Sequence, residues 1–322
     1  MMAETEAYAA YALALDFDDQ EYWSGGTQAA SLDAMSGYSF TRSGEQGAVD
    51  SDGTVDFFAA NTPAINGNGY HAYGALTNIL VDSRELSTWS ATALTPTADD
   101  AVAPDGTMTA DKFADTAIAG AHKIDKLPGD YDVDVRTFSV FAKYGTRRYL
   151  NLSWEWAANY AAATFDLVAG TVTSSRNSGT GSSAQGHIVD CGNGWYRCVL
   201  VGTMGDTGGV TAAVICLSDT GVPAGAQPSY TGDGSYLHLW QAQSIAGNFP
   251  DGGPIIVTTG STASIGASAL AVSLANGTYS ATYTFDDDST QNSAALTIAD
   301  GTLNLPADFP PDRNIIKQLL VP

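Results

Sequence analysis

Two groups of aromatic residues alternate along predicted strands and could bind carbohydrate. The first group occupies every second position of one strand and therefore shares one face: Tyr236, His238 and Trp240. The second group lies on or just after another strand: Trp154, Trp156 and Tyr160. Aromatic faces stack on the C–H surfaces of sugars, while polar groups bind the hydroxyls. If the two strands were neighbours, the two groups would form one glycan-binding surface.

The same aromatic residues have a second interpretation as core residues. Burying one such side chain stabilises a fold by roughly 2 to 3 kcal/mol, so aromatic stripes on strands commonly point inward. The sequence does not fix which face of each strand is inward. Binding surface and core therefore both remain open for these positions.

Four aspartates in predicted loops offer oxygen ligands of the kind that calcium prefers: Asp105, Asp111, Asp190 and Asp233. Turn aspartates are also common for another reason, because their carboxylates accept hydrogen bonds from the backbone two residues further on. Structural calcium is therefore an alternative at these positions. No cofactor is required by the prediction.

The chain carries no motif of a known catalytic type and is predicted not to be an enzyme. The four histidines, at 71, 122, 187 and 238, lie outside the Gly-x-Ser-x-Gly, His-Glu-x-x-His and Walker patterns. Two-residue hairpin registry would set Cys191 opposite Tyr196, which predicts no bridge between Cys191 and Cys198. A glycan depolymerase is the remaining catalytic alternative, because a carboxylate pair comes together only in the fold.

The charge balance argues against a nucleic-acid partner. The chain has 13 Lys and Arg against 35 Asp and Glu, a net charge of −22, whereas binding a phosphate backbone needs clustered cations. No stretch approaches the roughly 20 apolar residues of a membrane span. The N-terminus lacks the positive region of a secretory signal, so folding in a cytoplasm is expected.

Composition and periodicity predict a mostly β protein. Glycine reaches 34 residues and charged residues only 15%, which suits short strands and many turns. Alternation is clearest in 78–257, where two packed sheets are expected. Residues 1–77 form a loop-rich N-terminal module, and 258–322 are predicted as a small C-terminal β-sandwich. For the stretch from Tyr8 to Leu15, helix and strand both remain open.

Three blocks of sequence, in a shared order, resemble a family of tailed-bacteriophage virion proteins. The family joins a short N-terminal module to a jelly roll similar to carbohydrate-binding modules. The first block comprises residues 39–42, 49–55 and 59–63. The second comprises residues 76–80, Trp89 and residues 103–113. The third comprises residues 138–143, 165–167, 192–198 and 239–243.

The resemblance implies a central jelly-roll β-sandwich in a virion component, such as a tail fibre, a tail-tip protein or a head appendage. It would be assembled in the host cytoplasm, dock to other virion proteins through its N-terminal module and bind host surface polysaccharide through the jelly roll. Homo-oligomers, with trimers as in similar fibres, are expected. The alternative is a purely structural capsid decoration or tail component that makes only protein contacts.

Overall fold

The computed structural model describes residues 8–128, 135–204, 211–308 and 313–322. Strands make up 57% of the described residues and helix 3%, which confirms the predicted mostly β class. The chain divides into two compact units. The terminal unit comprises Met1–Asp52, Asp56–Leu76 and Ile265–Pro322, and the sandwich unit comprises Gly53–Val55 and Thr77–Ser264.

The strands range from two to eleven residues in length. The first strands are β1 (Leu13–Asp16), β2 (Glu21–Ser24), β3 (Thr27–Ala29), β4 (Ser39–Thr41), β5 (Gln46–Val49), β6 (Val55–Phe58), β7 (Ile65–Asn66), β8 (Gly69–His71) and β9 (Leu76–Asn78). The central strands are β10 (Ser90–Thr92), β11 (Leu94–Val102), β12 (Met108–Asp115), β13 (Ala119–Lys126), β14 (Val135–Tyr144), β15 (Tyr149–Trp156), β16 (Asn159–Asp166), β17 (Thr171–Ser178), β18 (Gly181–Asp190), β19 (Trp195–Met204), β20 (Ala212–Ser218), β21 (Ser229–Thr231) and β22 (Tyr236–Ala246). The last strands are β23 (Ala263–Ile265), β24 (Ala269–Ser273), β25 (Gly277–Phe285), β26 (Thr290–Ile298), β27 (Thr302–Leu305) and β28 (Ile315–Val321). Single 3-10 turns span Tyr8–Ala10, Leu32–Ala34 and Leu86–Thr88.

The sandwich unit has two antiparallel sheets. Sheet I has the order β11-β12-β22-β14-β19-β18, and sheet II has the order β10-β13-β20-β15-β16-β17, with β21 paired to β13. Eight of these strands form the core arrangement, with β12-β22-β14-β19 in one sheet and β13-β20-β15-β16 in the other. If these eight strands are numbered one to eight in chain order, the first sheet has the order one, eight, three, six. The second sheet has the order two, seven, four, five. This connectivity is a jelly roll.

The core of the sandwich comes from the inward positions of both sheets. Alternation along each strand places every second side chain inside. The fully buried contributors include Phe113, Phe138, Val140, Leu150, Leu152, Phe165, Leu200, Ile215, Leu217 and Leu237.

The terminal unit is built from both ends of the chain. Strand β1 pairs with β2 on one side and with β28 on the other, so that Leu13 faces Val321. All four residues of β1 are buried, and Leu13 and Leu15 belong to the same core cluster as Tyr283 and Phe285 of β25. The pairing joins two segments that the sequence analysis treated as separate modules. An apolar strand such as β1 needs two partners, and it finds one of them about 300 residues along the chain.

The stretch for which helix and strand were both open contains both. The 3-10 turn Tyr8–Ala10 precedes β1. Among the described residues, no helix is long and apolar enough to cross a membrane.

Candidate functional site

Trp240 lies on the outer face of sheet I but is fully buried. Its indole nitrogen donates to Thr109 Oγ1 at 3.1 Å, and the Phe141 ring meets it edge-on at a centroid distance of 5.2 Å. The Arg84 guanidinium lies 5.3 Å from its ring centroid. Protein atoms thus occupy the positions around the ring that a sugar would need. The predicted glycan-binding role of Trp240 has no accessible surface in this structure.

Tyr236 and His238 are half-buried on the same outer face and belong to a polar patch with Lys112 and Asp100. The patch is paired internally, because His238 Nε2 lies 3.0 Å and Lys112 Nζ 3.4 Å from the Asp100 carboxylate. The contact with His238, followed by the effect of Lys112, holds the pKa of Asp100 below its usual range. Of the first predicted aromatic group, these two residues therefore keep partial access to solvent.

The second predicted aromatic group does not form one surface. Trp154 is only 2% exposed and packs inside the sandwich, 5.3 Å from Phe138 between ring centroids. Trp156, at the end of β15, is 41% exposed. Tyr160 faces outward with its cross-strand partner Glu155. Since β15 belongs to sheet II and β22 to sheet I, the two aromatic groups are not on neighbouring strands, which corrects the assumption behind a joint surface.

The outer face of sheet I is covered by residues 249–258, here called the return segment. Arg197 donates to the carbonyl oxygens of Gly253 at 2.7 Å and Gly252 at 3.0 Å. Gln243 donates to Pro254 O at 2.9 Å and accepts from Ile256 N at 3.2 Å. Arg197 and Gln243 are 2% and 0% exposed, so these two outward polar side chains bind the chain itself and not solvent.

The outer face of sheet II is covered by residues 219–228, here called the strap. Asn151 donates to Ala226 O at 2.7 Å, and Arg176 Nε donates to Gly225 O at 3.0 Å. The same arginine bonds Thr164 Oγ1 at 2.9 Å. Asn151 and Thr164 are fully buried. These are side-chain types that could bind sugar hydroxyls, and here they bind backbone carbonyls or one another.

The four predicted calcium ligands each have separate protein partners. Asp105 accepts from Thr107 N at 3.0 Å and lies 3.5 Å from Arg84. Asp190 accepts from Gly192 N at 2.9 Å, in the turn geometry that the sequence analysis gave as the alternative.

The other two of the four are also engaged by protein groups. Asp111 accepts from Ser87 N at 2.7 Å and from Asp99 N at 3.0 Å, and burial raises the pKa of its carboxyl. Asp233 pairs with Arg147 at 2.7 Å. The structure does not bring the four carboxylates together. In the part of the chain that is described, no group of three or more His, Cys, Asp or Glu is placed to hold a metal ion.

A buried ion-pair cluster around Asp115 was missed by the sequence analysis. The Asp115 carboxylate accepts from Arg147, from Tyr230 OH at 3.0 Å and from Gly234 N at 2.8 Å. His122 is fully buried and stacks on Tyr230 at 4.4 Å between ring centroids. The cluster fixes the turn that leads into β22. The one available signal was the adjacent pair Arg147-Arg148, whose two positive charges need acidic partners when they lie at a strand end.

Comparison with known proteins identifies no family for this chain. No protein-family model matches the chain, and no curated protein matches it significantly.

Proposed function

We propose that this chain is a non-enzymatic structural component of a tailed-bacteriophage particle, in a tail fibre, tail tip or head appendage. In this proposal the jelly roll is a rigid support, and its partners are other virion proteins and further copies of the same chain. The localisation is the virion, assembled in the host cytoplasm. The chain acts through contacts with other proteins, and the two outer sheet faces of the jelly roll do not bind a ligand.

The support for a virion role is the resemblance and the place of its blocks in the fold. The third block falls largely on β22, β14 and β19, which are neighbours in sheet I. Arg197 and Gln243, both within that block, hold the return segment. Asn78, from the second block, is fully buried, donates to Ile256 O at 2.9 Å and accepts from Ser244 N at 3.0 Å. The block residues thus act together to close one face of the sandwich.

The observation that carries the structural role is that the protein's own segments cover the central part of each outer face of the sandwich. A sheet face that binds glycan must present aromatic and polar groups to solvent. Here Trp240, Arg197 and Gln243 are buried on one face, and Asn151 and Thr164 on the other. Of the two roles considered for the jelly roll, a purely structural one is therefore favoured over adhesion through its strand faces.

Particles of the encoding phage test this proposal. Mass spectrometry of gradient-purified particles should detect the chain at a stoichiometry that is a multiple of the particle's symmetry, and an antibody should label one fixed location. Abundant chain in the lysate but none in purified particles would contradict the proposal. A fall in polysaccharide viscosity on incubation with the purified protein would instead favour the depolymerase alternative.

A further inference from the structure

The terminal unit contains an open cleft of about 500 Å³, within the usual size range of ligand sites. Its floor is apolar, with buried Tyr22 and Leu32 and half-buried Ile65. Its rim is polar and exposed, with Gln20, Asp33 and Asn61, among others. An apolar floor with a polar rim matches the general character of a small-molecule site.

The wall of the cleft is held by the buried side chain of Arg42, which is 1% exposed. Its guanidinium donates to the carbonyl oxygens of Phe58 and Ala59, both at 2.9 Å. Its backbone also fixes the next residues, because Asn61 N donates to Arg42 O at 2.9 Å and Arg42 N donates to Asn61 Oδ1 at 3.3 Å. The segment that carries Asn61, Thr62 and Pro63 into the cleft is therefore fixed before any ligand binds.

Two residues on the rim have left-handed backbone conformations, which is unusual for Gln20 and ordinary for Asn61. Gln20 has φ +56° and Asn61 has φ +59°, in the left-handed region that L residues other than asparagine and aspartate seldom adopt. Such conformations persist where surrounding contacts hold them, and they cluster at ligand-binding sites. Both of these residues carry amide side chains and line the same cleft.

The lining chemistry restricts the class of ligand. Among the lining residues, all of which the structure describes, Asp33 is the charged one and none is Lys, Arg or His. An anionic ligand would therefore lack a counter-charge. Tyr22 and Tyr38 offer ring surface, while the Gln20 amide offers donors and an acceptor and Asn61 Nδ2 offers donors. This combination suits a molecule with apolar C–H faces and many hydroxyl groups.

We propose that this cleft binds a neutral carbohydrate, with Tyr38 as the stacking surface and Asp33, Gln20 and Asn61 as partners of the sugar hydroxyls. The proposal goes beyond the structural role of the jelly roll, because it places recognition of glycan on the unit formed by the two chain ends. It rests on the geometry of that unit alone.

The test is binding of the full-length protein to an array of neutral and acidic glycans, followed by titration calorimetry with the best neutral oligosaccharide. Tyr38→Ala should weaken that binding by about tenfold or more, because it removes the stacking ring. Ala30→Trp, which fills the cleft from an exposed position and removes no polar partner, should weaken it at least as much. Trp156→Ala, which removes an exposed aromatic residue of the sandwich unit, is the matched control and should leave affinity within about twofold.

Several outcomes would overturn the proposal. These are no binding to any neutral glycan, binding that survives both cleft variants, or binding that Trp156→Ala abolishes. Displacement of the sugar by choline or tetramethylammonium at similar concentration would reassign the cleft to a cationic ligand. Thermal melting of each variant shows whether it is folded. Detection of the chain in particles is a separate measurement, so a failure of the virion proposal and a failure of this one are distinguishable.

Discussion

The side chains of Arg197 and Gln243 donate hydrogen bonds to the same acceptor, the carbonyl oxygen of Gly252, at 3.0 Å and 2.9 Å. The two residues lie on β19 and β22, which are separated in sheet I by β14. A single carbonyl of the return segment thus links two strands that do not pair with each other. The bond from Arg197 is charge-assisted and the bond from Gln243 is neutral, and both are buried. Loss of either donor would therefore lower the free energy of unfolding.

Gln243→Ala should therefore destabilise the sandwich unit by about 2 to 4 kcal/mol. The change removes two donated bonds and one accepted bond, and it leaves backbone groups of the return segment unsatisfied in the interior. Urea unfolding monitored by tryptophan fluorescence measures the difference. Gln185→Ala, at an exposed glutamine on the outermost strand β18, is the control and should change stability by less than about 0.5 kcal/mol. Equal effects of the two substitutions would contradict a bracing role for Gln243.

Gly252 itself should not tolerate a side chain. Its φ is +90°, and a Cβ atom placed there would collide with the Arg197 guanidinium. Gly252→Ala is expected to cost about 2 to 3 kcal/mol, because it combines a strained backbone with overpacking. Gly225→Ala, in the strap, is the matched control, since a Cβ there meets no atom within 4 Å and its φ is not positive. If Gly252→Ala melts at the same temperature as Gly225→Ala, the close packing of Gly252 against Arg197 would be contradicted.

Strand identity could be predicted where alternation was long, but the covering of the outer faces could not. The two packed sheets predicted for 78–257 agree with the structure, in which β10 to β22 form both sheets of the sandwich unit. Trp240 shows the limit. The alternation in β22 left a buried and an exposed position both open for it, and Thr109 and Arg84, more than 100 residues away in sequence, bury it. Nothing local to Trp240 encodes these contacts.

The hairpin after β18 shows a similar limit at short range. A two-residue turn predicts Cys191 opposite Tyr196, whereas the structure pairs Asp190 with Tyr196 and Cys191 N with Trp195 O. The predicted register is wrong by one position. Gly192, Asn193 and Gly194 all have positive φ, so the loop uses three residues and not two. The Asn-Gly signal correctly located the hairpin but did not fix its length.

The three cysteines should be unreactive in the folded protein. Cys191, Cys198 and Cys216 are free and at most 2% exposed. Burial raises the pKa of Cys191 to about 11 and raises the pKa of the other two thiols as well, so the reactive thiolate is scarce at neutral pH. A colorimetric disulfide reagent at pH 8 should release almost no colour from native protein and three equivalents in guanidinium. Rapid reaction of one thiol in the native state would contradict this burial.

Glu155 should make the stability of the sandwich unit depend on pH. It is 8% exposed beneath the strap, where Gln227 donates to its carboxylate, and burial raises its pKa above the ordinary value of 4.5. Between 4.5 and the raised value, the folded state binds more protons than the unfolded state. The free energy of unfolding therefore falls as pH rises through this window, with a slope of at most about 1.4 kcal/mol per pH unit. Below the window both states are protonated, and the carboxyl no longer destabilises the folded protein.

Glu155→Gln removes this pH dependence while it keeps an oxygen that can accept from Gln227. The variant should be more stable than the parent at pH 7, and the advantage should shrink to zero as the pH falls below about 4.5. Urea titrations at half-unit steps from pH 4 to pH 7 measure the difference. Glu85→Gln, which removes an exposed carboxylate from the same unit, should follow the parent curve. A constant offset between Glu155→Gln and the parent across the whole range would mean that folding does not raise the pKa of Glu155.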